Sequence, residues 1–123
     1  MNASRERGAV AVEFALVLPL LMAFLLGIIE GGTRYAQQTE VNHWAFIAAR
    51  DLSIDPSTSA TTVVDALKGS DTTTYAVTSA PTTKCAAAGA TQVSVTVAAT
   101  KSSPTGLFPD YQLTGRGVAR CEN

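Results

Sequence analysis

The run from Ala9 to Ile29 constrains this chain more than any other feature, because twenty-one consecutive residues carry a single charge, Glu13. As an α-helix the run measures about 31 Å at 1.5 Å per residue, the thickness of a bilayer hydrocarbon core. In a chain of 123 residues that leaves room for one small domain. Charged residues make up 15% of the chain, the formal net charge is −1 and no basic run occurs, which argues against a nucleic-acid partner. Hydrophobic residues reach 46%, but they are concentrated in the N-terminal run, whereas the remainder is rich in Thr, Ser and Ala. That distribution does not suit a cytosolic enzyme with a buried core of its own.

Three readings of the apolar run compete: a cleaved secretory signal, a single-pass anchor, and a prepilin-like leader followed by an assembly helix. A secretory signal needs a shorter core and a small-x-small cleavage site. Here the run closes on Ile28-Ile29-Glu30-Gly31-Gly32, and Glu30 is a poor neighbour for such a site. Orientation follows from the flanks. Arg5 and Arg7 precede the run and the first basic residue after it is Arg34, so the N-terminus is expected in the cytoplasm and residues 33–123 outside it. Both cysteines would then lie where disulfides persist.

A carboxylate inside an apolar helix is costly, and Glu13 marks either a functional group with a partner or a side chain that snorkels to the headgroups. Its context is Arg7-Gly8-Ala9-Val10-Ala11-Val12-Glu13-Phe14, a glycine, four residues, then Glu-Phe at the mouth of the helix. This pattern resembles the prepilin-peptidase site of type IV pilins in the Tad (tight adherence) form. The longer string RGAVAVEFALVLPLLMAFLLGIIEGG, with Ala48-Ala49-Arg50-Asp51 further on, is similar to the N-terminal part of the TadE family of minor pilins or pseudopilins, over residues 5–52.

The resemblance implies that a membrane prepilin peptidase cuts between Gly8 and Ala9, with Glu13 and Phe14 serving recognition and assembly. It also implies other pilin or pseudopilin subunits and the Tad secretion machinery as partners, in a bacterial cell membrane. The new ammonium at Ala9 would sit four residues from Glu13, on the same helix face, where it can neutralise that carboxylate within one chain or between neighbours. Gly8 is expected to give the extended, accessible backbone that a protease needs.

Reading the helix in steps of four gives Ala11, Ala15, Pro19, Ala23, Gly27 and Gly31, while the other registers carry mostly Leu, Ile, Phe, Met and Val. Small residues at this spacing let helices approach closely in lipid, and Gly27-x-x-x-Gly31 is the strongest element. Chance in an Ala-rich chain is the competing explanation. Pro19 removes one backbone hydrogen bond and is expected to kink or loosen the helix.

Beyond Gly32 the expected fold is α+β: a small exported domain with a short helix and about three antiparallel strands at the outer end of the long helix. Thr33–Leu52 reads as helix, with Val41, Ala45, Ala48 and Leu52 inward beside Trp44. Gly31-Gly32 is either a flexible joint or part of one continuous helix. Thr61–Lys68 reads as a short helix with Val63, Val64 and Leu67 inward and Gly69 as its stop. Thr72–Ser79, Thr91–Thr100 and Tyr111–Cys121 read as strands, with Val93, Val95 and Val97 on the buried face. The 104–109 loop ends in an apolar tip, Leu107-Phe108, expected to dock on its own sheet. The organisation is thus a leader (1–8), a transmembrane assembly helix (9–32), an exported helix (33–55) and a small α+β domain (56–123).

Cys85 and Cys121 allow one intrachain pairing, which on chain-entropy grounds would stabilise so small a domain by about 3–4 kcal/mol. His43, the one histidine, sits on a helix beside Trp44 and reads as a surface or packing residue. Gly115-Arg116-Gly117 lies inside a predicted strand and lacks the strand-to-helix context of a nucleotide site. No cofactor and no metal site are expected, and no enzyme. The leading function is a TadE-like minor pilin or pseudopilin taking part in Tad pilus biogenesis. The alternative is a membrane-anchored exported binding module that never enters a filament.

Overall fold

A computed structural model describes residues 3–80, 85 and 89–121. Met1 and Asn2, the start of the expected leader, lie outside the described residues. The architecture is α+β, as expected. One long helix, α1 (Ala3–Ile54), is followed by a short one, α2 (Ala60–Leu67), and by strands β1 (Ala76–Ala80), β2 (Gln92–Lys101) and β3 (Tyr111–Arg120).

α1 is a single helix of 52 residues that runs through Pro19 and through Gly31-Gly32 without interruption. Its two halves obey different rules. Residues 9–29 are apolar on every side apart from Glu13, and the later half carries an apolar seam on one face only. The helix ends where Asp55 takes over: its Oδ1 accepts Ser57 N–H at 2.9 Å and Ser57 Oγ–H at 2.6 Å, a turn that competes with further helix just before Pro56. α2 stops at Gly69, whose φ of 58° is the left-handed conformation a helix terminus favours.

The three strands form one antiparallel sheet in the order β1-β2-β3, with Val97 opposite Val77 and Gly115, and Val95 opposite Ser79 and Gly117. Strict alternation along β2 buries Val93, Val95, Val97 and Ala99 against α1. From the helix side Val41, Trp44, Ala45, Ala48, Ala49 and Leu52 close the core, and Val64 of α2 is fully buried with them. Trp44 meets Tyr75 edge-on, with ring centroids 5.2 Å apart. Cys85 and Cys121 are joined, with 5.4 Å between their Cα atoms, tying the chain before β2 to the end of β3.

Two glycines explain how closely helix and sheet approach. A Cβ on Gly115 would lie 2.6 Å from the Val41 carbonyl carbon, and one on Gly117 would lie 2.5 Å from Phe46 Cα and closer still to the Ala45 carbonyl. No side chain fits at either position. The Gly-Arg-Gly triplet is therefore a packing device, in which alternate residues on one strand face leave space for a helix backbone.

Three sequence expectations need correction. β1 begins at Ala76 and not at Thr72, because Asp71 holds the preceding segment in a loop: its Oδ1 accepts Thr73 N–H at 2.9 Å and its Oδ2 accepts the Tyr75 hydroxyl at 2.7 Å. Leu67 is 37% exposed: in the short α2, Ala60 and Val64 are buried and Val63 packs against the core at its edge, leaving Leu67 outside it. Leu107 and Phe108 do not dock on the sheet. Both are exposed, because the loop carrying them turns toward α1.

Candidate functional site

The candidate functional surface is the N-terminal half of α1 and the collar of residues where it enters the domain. The segment has the length and hydropathy to cross a membrane, and none of it is buried by the rest of the chain. Leu16, Phe24 and Ile28 are 74%, 65% and 68% exposed. A core helix of a water-soluble protein would be covered by its own fold. This one is left uncovered by the fold.

Gly8 and Ala9 lie inside α1 with their surfaces exposed. The backbone at Gly8 is helical, not extended as expected, so a protease cutting there must first unwind the end of the helix. Glu13 and Phe14 are exposed one turn further on, with Val10 and Val17 flanking the carboxylate. Ala11, Ala15, Pro19, Ala23, Gly27 and Gly31 are all exposed, and a Cβ added at Gly27 or Gly31 would meet nothing within 4 Å.

The stripe does not lie straight. Steps of four residues overshoot a 3.6-residue turn by about 40° each, so the six positions wind around the helix and only neighbouring members share a face. Ala23, Gly27 and Gly31 stand eighteen residues, or about five whole turns, before Val41, Ala45 and Ala49. They therefore lie, below the domain, on the side of the helix that packs against the sheet above.

The junction contains a site that the residue pattern did not disclose. Glu30, one residue past the apolar run, is only 4% exposed. Its Oε2 accepts the Ser103 and Thr105 hydroxyls, each at 2.9 Å, and its Oε1 pairs with Arg34, Nε at 3.0 Å and Nη2 at 2.9 Å. The Arg34 guanidinium also lies 4.4 Å from the Tyr111 ring centroid and 5.7 Å from that of Phe108, and it donates to the Pro109 carbonyl at 3.4 Å. The Tyr111 hydroxyl donates to Gln37. A carboxylate so buried needs all these donors, and they fasten the 103–109 loop to the helix at the point where it leaves the apolar run. The signal available beforehand was Glu30–Arg34 at i,i+4. The hydroxyl partners are too distant in sequence to be inferred.

Farther from the membrane-length segment, Lys101 Nζ pairs with Asp71 Oδ2 at 2.7 Å. The hydrogen bond from Lys101, then those from Thr73 and Tyr75, hold the Asp71 carboxyl well below the ordinary carboxylate range against the opposing effect of burial. His43 is exposed. Among the described residues no three His, Cys, Asp or Glu side chains converge as metal ligands would.

Fold and surface together define a class: a small α+β domain mounted on the end of a bare, membrane-length helix that forms part of its own core. Residues 8–50 match the family described as TadE-like protein, from Gly8 to Arg50 in the packed half of α1. Over that stretch, about a third of its length, the chain is similar to TadE-like proteins. No curated protein and no solved structure matches the chain.

Proposed function

We propose that this protein is a minor pilin or pseudopilin that takes part in the biogenesis of a Tad-type pilus, with a structural and not a catalytic role. In this reading residues 9–29 span the bacterial cell membrane with the N-terminus in the cytoplasm, and the α+β domain is exported. A prepilin peptidase removes residues 1–8. The ammonium released at Ala9 and the carboxylate of Glu13 then form a complementary pair at the end of the helix, in one chain or across two, so that the helix can leave the lipid among other subunits without an unpaired buried charge.

The observation that carries the reading is the continuity of α1. The same helix supplies a fully exposed apolar half and the central element of the domain core. Removal of the apolar half at Gly31, as a secretory signal, would cut the helix beside Glu30 and leave the 103–109 loop without its anchor.

The experiment is N-terminal sequencing and intact mass of the protein extracted from membranes of cells that contain a Tad prepilin peptidase. The expected N-terminus is Ala9, and Gly8→Leu should abolish the cut. A Met1 start in such cells, or a start near residue 31, refutes the proposal. Glu13→Ala should leave insertion intact, since it removes a cost of insertion, and reduce recovery with partner subunits.

A further inference from the structure

We propose that the 103–109 loop is an interfacial foot, with Leu107 and Phe108 seated in the headgroup–acyl boundary of the bilayer that α1 crosses. The proposal rests on the reading of residues 9–29 as a membrane span.

The axial register of the domain places the loop. β3 runs alongside α1 in the same direction: Tyr111 meets Arg34 and Gln37, the Thr114 carbonyl accepts Gln38 Nε2 at 2.8 Å, Gly115 lies over Val41 and Gly117 over Ala45. Moving back along the chain from Tyr111 therefore moves down the helix, and the hydrogen bonds of Ser103 and Thr105 to Glu30 fix the lowest point. The loop is the edge of the domain nearest the apolar run. From Ile29 to Arg34, against which Phe108 rests, is about 7.5 Å of helix rise, similar to the thickness of the interfacial layer on one side of a bilayer.

The loop is also turned the wrong way for water. Its hydroxyls, on Ser103 and Thr105, point inward to Glu30, while Leu107 and Phe108 are 67% and 47% exposed, with the Arg34 guanidinium 5.7 Å from the Phe108 ring centroid. Gly106, with φ at 70° and its N–H bonded to the Ser103 carbonyl at 3.1 Å, makes the tight turn that presents them. At the same level Tyr35 is 76% exposed, and Tyr111 and Arg34 complete a collar of aromatic and cationic groups. Amphipathic aromatic rings and long basic side chains are what a membrane–water interface selects. The exposed apolar tip is thus continuous with the exposed apolar helix, and one occupant, lipid, covers both.

The test uses the full chain reconstituted at low density in phosphatidylcholine–phosphatidylglycerol vesicles. Nitroxide labels are placed at Leu107→Cys, at Leu25→Cys in the span and at Thr78→Cys on the exposed face of β1. The native cysteines are bonded to each other and do not react. The readout is collisional accessibility to oxygen, which partitions into lipid, and to a water-soluble nickel chelate. The expected result is a lipid-like ratio at Leu25, a water-like ratio at Thr78, and at Leu107 a several-fold loss of nickel access relative to Thr78. A Leu107 label as open to nickel as Thr78, with Leu25 lipid-like, overturns the foot and leaves the span standing. A water-like Leu25 overturns both. Spin–spin broadening at Leu107 that disappears on dilution with unlabelled protein would show a second copy on the tip and overturn the lipid assignment.

Discussion

Ser103 donates its hydroxyl to Glu30 across 73 positions of sequence, and this contact, with that of Thr105, joins the end of the apolar helix to the far loop of the sheet. The consequence is mechanical. The domain does not hang from the helix on a flexible link, because it is clamped at the junction by a buried carboxylate and higher up by the α1–β3 seam.

Glu30→Ala should release this clamp while leaving the helix and sheet folded. Amide hydrogen exchange at Gly106 and Leu107 is expected to speed up markedly, whereas amides of β2 stay protected. Glu30→Gln keeps the acceptor oxygen but loses the charge for Arg34, so its effect should be intermediate. Unchanged exchange in the Ala variant would mean that the loop is held by other contacts.

Gly117→Ala should be among the most damaging single methyl additions in the chain, since the Cβ would collide with the backbone of α1 at Ala45 and Phe46. Such overpacking against backbone costs about 3 kcal/mol or more. Gly32→Ala, where a Cβ meets nothing within 4 Å in a continuous helix, should instead stabilise by up to about 1 kcal/mol. Thermal unfolding of both variants in the same detergent checks the pair. Equal melting temperatures would contradict the packing role given to Gly117.

Asp71 gives the domain a pH dependence of defined sign. Its carboxyl is held below its unfolded value of about 3.9, so its contribution is complete above that pH and declines as the pH falls below it toward the lower folded value. Lys101→Met removes the largest cause of the shift and should cost about 1–2 kcal/mol at neutral pH. The gap between parent and variant should narrow as the pH is lowered below 4, measured by denaturant unfolding at each pH. A gap independent of pH would assign the loss to packing of the Lys101 stem.

Much of this arrangement was legible from residue order because it rests on local periodicity. Val93, Val95 and Val97 alternate as a half-buried strand must, and Val41, Ala45, Ala48 and Leu52 recur as a helix face must. Such patterns report burial whatever covers them. What was not legible depends on partners far apart in sequence. In a chain so rich in Thr and Ser, nothing distinguishes Ser103 and Thr105 from other hydroxyls until the fold brings them to Glu30. Gly115 and Gly117, two apart in a strand, did carry a sign of close approach on one face, but the helix they admit could not be named from it. Leu67 and the Leu107-Phe108 tip have apolar side chains outside the core, and hydrophobicity alone overstates burial at such positions.

The final prediction concerns the seam below the domain. Gly27 stands about five turns before Ala45, and Gly31 the same distance before Ala49, so these two glycines lie on the side of α1 that packs against the sheet. Above the junction this face allows close contact with β3, and below it the same face is exposed. If a neighbouring helix packs there in the membrane, Gly27→Leu should weaken the association by forcing the two backbones apart. Val17→Leu adds bulk on the same span in another register and should be nearly silent, because large apolar side chains are at home against lipid. Neither change touches the domain, so abundance and membrane insertion should match the parent in both. Crosslinking of partner subunits in isolated membranes compares the two variants directly. Loss at Gly27 alone would show that the helix recognises its neighbours by close backbone approach, a property separable from the charge at Glu13. Equal crosslinking in both would leave the face below Glu30 to lipid and reduce its small residues to composition.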